Sequence, residues 1–581
     1  MTTGSQTNIN LASKWLSDCL NDHTNCSVQY PALSPLPLRV LDIGSLNTPR
    51  ISLSVGEGRR GSYATLSYCW GNLPQHVTTK DNINARTEHI DASILPKTFS
   101  DTIFVCRILG IQFLWIDSMC IIQDDADDWN NQSEKMADIY AQGILNISAA
   151  VGIDSNGGLF VDRDPRKSYP CPFRGRYTDE DGSDITTSFL SCLEIDRKKY
   201  SYLDTRGWTF QEMYLPPRTL RFSASGIYWI CASQNASESL PTGIRPLGHK
   251  SDFDKYIGRG LYGFDSSNAD ALQKYEWWYR AVEKYSRRHL GRESDRIKAL
   301  SGLATLFGRG LHDEYLFGIW KLDIVRGLAW SIGKDVGDNA AESAQNNYFL
   351  QLAPSWSWAS RPGKAINYFS LAGELEISSE FESSMDIKDT SPPPRPCFDF
   401  LSVDCTQNGT PPDLVASGVL KIRGLVLRAR YSRKYGKDII TIFRPIADAH
   451  VYTSWGRPKY DEQVSEDDEL YCLPISLERG ANWLTDEENE ARLLRETYKL
   501  GSNEELVSLQ KGLLEYELML SGVTWCGDEV PNMKLEGNRT YNCLILKKIG
   551  TEKIRFRRVG YVGILDEYCF EELVPNTLEI E

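Results

Sequence analysis

From residue 61 to about residue 231, short β-prone runs alternate with stretches of helical period, and this alternation limits the fold more than any other feature of the chain. Strands are expected at 63–69, 112–116, 144–149, 219–222 and 227–231, where small, β-branched and aromatic residues cluster. Between the first two, Phe99, Ile103, Cys106 and Leu109 recur at helical spacing behind Thr98 and Asp101, which are spaced as in a capping box. Before the third, Asp124, Asp125, Asp127 and Asp128 mark the positive end of another helix, with Trp129, Met136 and Tyr140 on its inner face. Strand–helix alternation implies parallel pairing through right-handed crossovers. The expected fold class is therefore α/β, with a flavodoxin-like or otherwise doubly wound parallel sheet and flanking helices.

The 581 residues suffice for two or three domains. Residues 1–60 read as a lead-in: a short helix around Trp15, a proline-rich stretch over 30–37, then a strand at 38–43. The α/β region covers 61–235, with a Gly-, Asp- and Lys/Arg-rich insertion over 152–205. A helical, aromatic-rich region spans 236–385: Trp277, Val282 and Tyr285 start one helix, Ser294 caps a second carrying Ile297, Leu300 and Ala304, and 353–360 reads as a strand-like aromatic run. On such a strand Trp356 and Trp358 alternate, one toward a core and one toward an interface. A Pro-rich linker lies at 386–400, and 401–581 reads as mixed α+β, with strands over 418–430 and 541–565 around an acidic helical block at 486–520.

A net charge of −14 argues against general nucleic-acid binding, which needs a basic face. Arg423, Arg428, Arg430, Arg433 and Lys434 form a basic cluster that reads as a solvated strand edge. The polar first ten residues and the lack of an 18-residue apolar run predict neither a signal peptide nor a membrane span, and so a cytoplasmic protein. The 14 cysteines form no C-x-x-C pair and read as buried, reduced thiols. Cys19, His23 and Cys26 have metal-like spacing, but no fourth ligand lies nearby in sequence, so the trio reads as a packed turn and no metal is expected.

The candidate site residues cluster at strand ends. The first strand stops at Ser67-Tyr68-Cys69-Trp70-Gly71, which puts a hydroxyl, a phenol and an indole at the carboxyl edge where open α/β sheets bind ligands. Asp117 ends the second strand in the same way, though it could equally cap the turn toward Cys120. Trp208 and Glu212 are four residues apart and share one helix face, so an indole can flank a carboxylate and raise its pKa. The plainer reading makes Glu212 a capping or salt-bridging group toward Arg206 or Arg218. Ser67 lacks a G-x-S-x-G elbow, Cys69 and Cys120 have no histidine nearby in sequence, and 56–61 lacks the strand and helix of a dinucleotide fingerprint.

Four blocks together resemble the fungal heterokaryon-incompatibility (HET) domain: Tyr63-Ala64-Thr65-Leu66-Ser67-Tyr68-Cys69-Trp70-Gly71; Leu114-Trp115-Ile116-Asp117-Ser118-Met119-Cys120-Ile121-Ile122-Gln123-Asp124; Met136-Ala137-Asp138-Ile139-Tyr140-Ala141-Gln142; and Arg206-Gly207-Trp208-Thr209-Phe210-Gln211-Glu212. The aromatic run at 353–360 looks like the block that often follows the domain. The resemblance implies an effector of fungal non-self recognition and programmed cell death. HET domains are in turn distant relatives of TIR domains, several of which hydrolyse NAD, and so a TIR-like sheet is implied. Leu66-Ser67-Tyr68 is similar to TIR box one. Trp208 and Glu212 are similar to the TIR Trp-Cys-x-x-Glu helix start, except that Thr209 stands where TIR domains have Cys. The resemblance implies Glu212 as catalytic carboxylate, Trp208, Tyr68 and Trp70 as pocket walls, and Ser67, Asp117 and Arg206 as polar ligand contacts. NAD enters as substrate and no cofactor is required. Self-association or an incompatibility partner would control activity. Two alternatives stay open: a non-enzymatic assembly module, and a small-molecule (secondary-metabolite) enzyme reusing the fold.

Overall fold

The computed structural model describes residues 2–27, 33–71, 76–163, 171–178, 184–191, 201–244, 271–333, 353–361, 363–368, 395–408, 415–434, 437–445, 451–456, 459–460, 464–465, 468–479, 539–549, 555–565 and 575–581. The chain divides into two compact units, Met1–Ile324 with Gly333–Asn367 and Thr406–Ser417, and Val325–Ile332 with Tyr368–Cys405 and Gly418–Glu581. Among the described residues no helix is long and apolar enough to cross a membrane.

The first unit is built on a nine-stranded mixed sheet. Its strands are β1 (Arg39–Gly44), β2 (Pro49–Val55), β3 (Tyr63–Ser67), β4 (Phe113–Trp115), β5 (Leu145–Ala149), β6 (Arg218–Ser223), β7 (Gly226–Cys231), β8 (Asn235–Ser237) and β9 (Leu240–Ile244), in the spatial order β9-β8-β7-β6-β5-β3-β4-β1-β2. The four central strands, β6-β5-β3-β4, run parallel. Every residue of β3, β4 and β5 is buried, as befits strands covered on both faces. The flanks differ from the all-parallel expectation. β1 pairs antiparallel with β2 and β4, and β7, β8 and β9 follow β6 as an antiparallel meander. The reason is connection length: two residues join β6 to β7 and four join β1 to β2, enough for a hairpin and far too few for a crossover. The lead-in thus supplies two sheet strands and a 16-residue helix, α1 (Gln6–Asn21).

The two expected helices are α2 (Lys97–Ile108) and α3 (Ala126–Gln142). In α3 the Asp125 side chain accepts from the backbone N–H of Asp127 and Asp128, the acidic start the sequence predicts. In α2 the cap residue is Pro96, so Thr98 lies inside the first turn rather than at its start. Its hydroxyl instead accepts from Gly158 N at 3.0 Å, while Asp101 accepts from Leu159 N at 2.8 Å. A short helix, α4 (Thr209–Tyr214), precedes β6. The insertion carries a hairpin of Cys171–Thr178 and Asp184–Ser191.

Farther along, α5 (Ala271–Ser286) and α6 (Lys298–Leu311) bury Trp277, Val282, Tyr285, Leu300 and Ala304. Ser294 sits in a separate 3-10 turn and α6 starts after Ile297. The aromatic run is not a strand: it turns, ends in a 3-10 turn at Trp358–Ser360, and buries both Trp356 and Trp358 completely. Serines cause this. Ser357 accepts from Ala359 N and Ser360 donates to Ser357 O at 2.7 Å, local bonds that replace a strand ladder, while the Ser357 hydroxyl donates to the distant Phe317 O. The indoles of Trp278 and Trp358 both donate to Gly318 O, at 3.0 and 2.9 Å.

The second unit carries most of an eleven-stranded sheet, whose registered pairs among the described residues are antiparallel but for one short parallel contact of Phe556 with Ile580. Strands Arg539–Ile549 and Arg555–Leu565 form its long central hairpin. Arg423 and Arg428 face solvent; among the described residues Leu427–Lys434 pairs on both sides only over 428–429, and 430–434, with Arg430, Arg433 and Lys434, pair on one side alone. The acidic block at 486–520 and the linker residues 386–394 lie outside the described residues.

Candidate active site

The chain leaves β3 for β4 on one side of it and later returns to β5 on the other. β3 is therefore a topological switch point, and the crevice beyond its carboxyl end is where such sheets hold ligands. Just past that end the backbone turns at Gly71, whose φ is +71°. A Cβ there would meet Asp154 Cβ at 2.3 Å, so only glycine fits.

The edge residues are tied into a network. Trp70 donates its indole N–H to Asp117 Oδ2 at 2.8 Å, and Ser118 N donates to Asp117 Oδ1 at 2.7 Å. The Tyr68 hydroxyl donates to Ser118 Oγ at 2.8 Å, and its ring meets Phe99 edge-on. One strand away, Asn146 Oδ1 accepts from both Thr65 Oγ1 at 3.0 Å and Ser67 Oγ at 3.2 Å. The Asn146 amide then donates to Glu212 O at 3.2 Å and so fixes α4 over β5.

Glu212 arrives here through a constrained approach. Asp204, in a 3-10 turn, accepts from Ser201 N and pairs with Arg221 at 2.6 Å. Gly207 N donates to His289 O at 2.7 Å, and the Thr209 hydroxyl bonds Leu203 O and Arg206 O. These bonds hold the start of α4, and Glu212 lies on its buried side with 5% exposure.

The electrostatics follow from that burial. The Glu212 carboxyl is pushed up to about 7, first by burial and then by the negative charge of Asp117, against the hydroxyls of Ser67 and Tyr140 and the charge of Arg206. Asp117 is also raised, mainly by desolvation, although it is half-buried and still meets solvent. Burial and the Glu212 and Asp117 charges hold the Tyr140 phenol well above its ordinary value. Arg206 acts on Tyr68, Cys69, Asp117 and Glu212 through its charge, yet among the described residues its guanidinium makes no hydrogen bond or ion pair. A half-buried cation with free donors beside two carboxylates can take an anionic or hydroxyl-rich ligand. The thiols of Cys69 and Cys120 are pushed up to about 11 and about 12 by burial, which leaves them unreactive.

Six of the seven candidates thus meet: Ser67, Tyr68, Trp70, Asp117, Arg206 and Glu212. Trp208 points elsewhere. Its indole donates to Asp295 Oδ2 at 3.3 Å and its ring meets Trp129 edge-on. Glu212 is in no ion pair with Arg206 or Arg218. Sequence reasoning missed Asn146 and Tyr140 as members of the cluster. The signal for Asn146 was an amide inside the otherwise apolar and small run 145–149; Tyr140 read as plain core at helical spacing.

Residues 63–212 match the family model described as Heterokaryon incompatibility protein (HET), so the chain carries a HET domain over about a quarter of its length. The match opens on the first residue of β3 and closes on Glu212, enclosing every residue of the cluster. Neither the curated proteins nor the solved structures yield a match.

Proposed function

We propose that the HET domain is a cell-death effector of fungal non-self recognition that cleaves the nicotinamide–ribose bond of NAD, with Glu212 as its catalytic carboxylate. One observation carries this reading: a buried glutamate with a pKa near 7 lies beside Asp117, Ser67 and Arg206 at the switch-point edge of the sheet. Support also comes from topology. Counted along the chain, the parallel strands lie in the order 2-1-3-4, that of flavodoxin-like sheets, to which TIR folds are similar.

In this reaction the C1′–N bond breaks and its electron pair neutralises the pyridinium, so nicotinamide leaves without needing a proton. Water adds to the oxocarbenium-like ribose and releases one proton, giving ADP-ribose. Ionised Glu212 would hold the ribose hydroxyls and stabilise the developing positive charge. Asp117, held by Trp70 and Ser118, would add negative potential, and the free Arg206 guanidinium would receive a pyrophosphate oxygen. Purified full-length protein, concentrated to favour self-association, should release nicotinamide from NAD, and Glu212→Gln should remove that activity without lowering the melting temperature. Undiminished release by the variant rejects the role.

A second reading, signalling by assembly with a partner without catalysis, is favoured by the small exposure of Glu212. It expects induced expression in a fungal cell to kill whether or not Glu212 is replaced.

A further inference from the structure

At the opposite edge of the same sheet, four side chains from two distant segments converge. Cys19 lies in the last turn of α1, His23 follows it, Cys26 sits in the four-residue helix Thr24–Ser27, and Cys231 ends β7; their candidate ligand atoms all lie within 4.8 Å of one another. The His23 Nδ1 to Cys231 Sγ distance is 3.5 Å. Tetrahedral zinc with bonds of about 2.3 Å to sulfur and 2.0–2.1 Å to nitrogen requires S···N separations of about 3.5 Å and S···S separations of about 3.8 Å. All three cysteines are buried and free of disulfides. We propose that Cys19, His23, Cys26 and Cys231 form a structural zinc site that staples the amino-terminal helix to the sheet. All four ligands lie outside the family-matched segment.

A second observation points to the same ligand. Arg218, 1% exposed, donates from Nε to Cys19 Sγ at 3.1 Å and from Nη2 to Cys26 O at 3.0 Å, and among the described residues it pairs with no carboxylate. A buried cation without a counter-charge is costly. Three thiolates and a neutral imidazole around Zn²⁺ carry one net negative charge, which the guanidinium balances, and an N–H···S bond to a ligand sulfur is the expected outer-shell contact. The four ligands close the set, with no open position for water, so the site is structural and not catalytic. The metal would reinforce a dock that exists without it: Trp15 Nε1 donates to Pro241 O at 2.8 Å and its ring lies 6.4 Å from that of Trp229.

Full-length protein grown with zinc and purified without chelator should carry one zinc per chain by mass spectrometry of the metal. Cys231→Ser and Cys19→Ser should reduce this at least tenfold, while Cys397→Ser, in the other unit, should not. Because a ligand variant can fail to fold, the wild-type protein is also exchanged with cobalt(II). Thiolate-to-cobalt charge transfer and the visible bands of tetrahedral cobalt are expected. A different metal, a disulfide among these cysteines, or no metal together with no cobalt spectrum overturns the proposal.

Discussion

The two edges of the central sheet each hold an arginine among polar groups, and they solve the burial of charge in opposite ways. At the carboxyl edge, Arg206 lies near two carboxylates and forms no hydrogen bond with either. At the amino edge, each of the three guanidinium nitrogens of Arg218 donates a hydrogen bond, yet among the described residues no carboxylate pairs with it. The first arrangement leaves donors and raised carboxylates unsatisfied by the protein, as a ligand site does. The second is satisfied in geometry and lacks only an anion, as a structural site does before its metal is counted.

The largest effect expected to separate the edges is chemical. Glu212→Gln should lower NAD cleavage by about 100- to 10,000-fold and leave the zinc content unchanged. A parallel loss of both would mean that the edges are not independent.

The arginines should part next. Arg218→Leu exposes a negative thiolate cluster to an apolar interior and should cost about 3–5 kcal/mol of stability, read by urea unfolding. Arg206→Gln removes a group with no hydrogen bond to lose, so its unfolding midpoint should hardly move, while nicotinamide release falls. If Arg206→Gln destabilises as much as Arg218→Leu, the contrast between a ligand site and a structural site fails.

The pH dependence of stability sharpens the comparison further. The folded pKa of Glu212 is raised, so the folded state holds that proton more tightly than the unfolded chain does. Its favourable contribution is complete below the ordinary value of 4.5 and is lost as pH rises to about 7. Each pH unit across that window costs about 1.4 kcal/mol, about 3 kcal/mol in all. Glu212→Gln should therefore be more stable than wild type at pH 8 and no different at pH 4.5. Equal stability of the two proteins at pH 8 would contradict the raised carboxyl.

Much of the carboxyl edge was legible because strand ends are local: Ser67, Tyr68, Trp70 and Asp117 announce themselves where apolar runs stop. Glu212 was a candidate from its spacing to Trp208 as well as from motif resemblance, but nothing in that spacing says that a residue 145 positions after Ser67 folds back over β5. The Trp208–Glu212 pair exposes the limit of a helical-face argument. Trp208 is the cap residue of α4, so its ring is aimed by Asp295 and Trp129 and not by the face that Glu212 shares. The amino edge was illegible for a similar reason: three ligands are local, but Cys231 joins them only through the hairpin of β6 and β7. The flanking antiparallel strands were hidden by reading 1–60 as a lead-in, although the short gap between 219–222 and 227–231 already required a hairpin.

The smallest expected effect concerns Tyr140, which sequence reasoning treated as core. Its one hydroxyl proton is shared between Leu66 O, at 3.1 Å, and Glu212, whose charged form it favours, and its ring packs edge-on against Trp115. Tyr140→Phe keeps the ring and deletes one hydrogen bond, a loss of about 0.5–1.5 kcal/mol. Without that donor the Glu212 pKa rises further, so a smaller fraction of the carboxylate is ionised near neutrality. Nicotinamide release should then be nearly unchanged at pH 8.5, where both proteins are ionised, and lower than wild type at pH 6.5. The midpoint of the pH–rate profile thus moves upward while its plateau stays. A lowered plateau with an unmoved midpoint would make Tyr140 a packing residue alone and would remove it from the charge balance of the carboxyl edge.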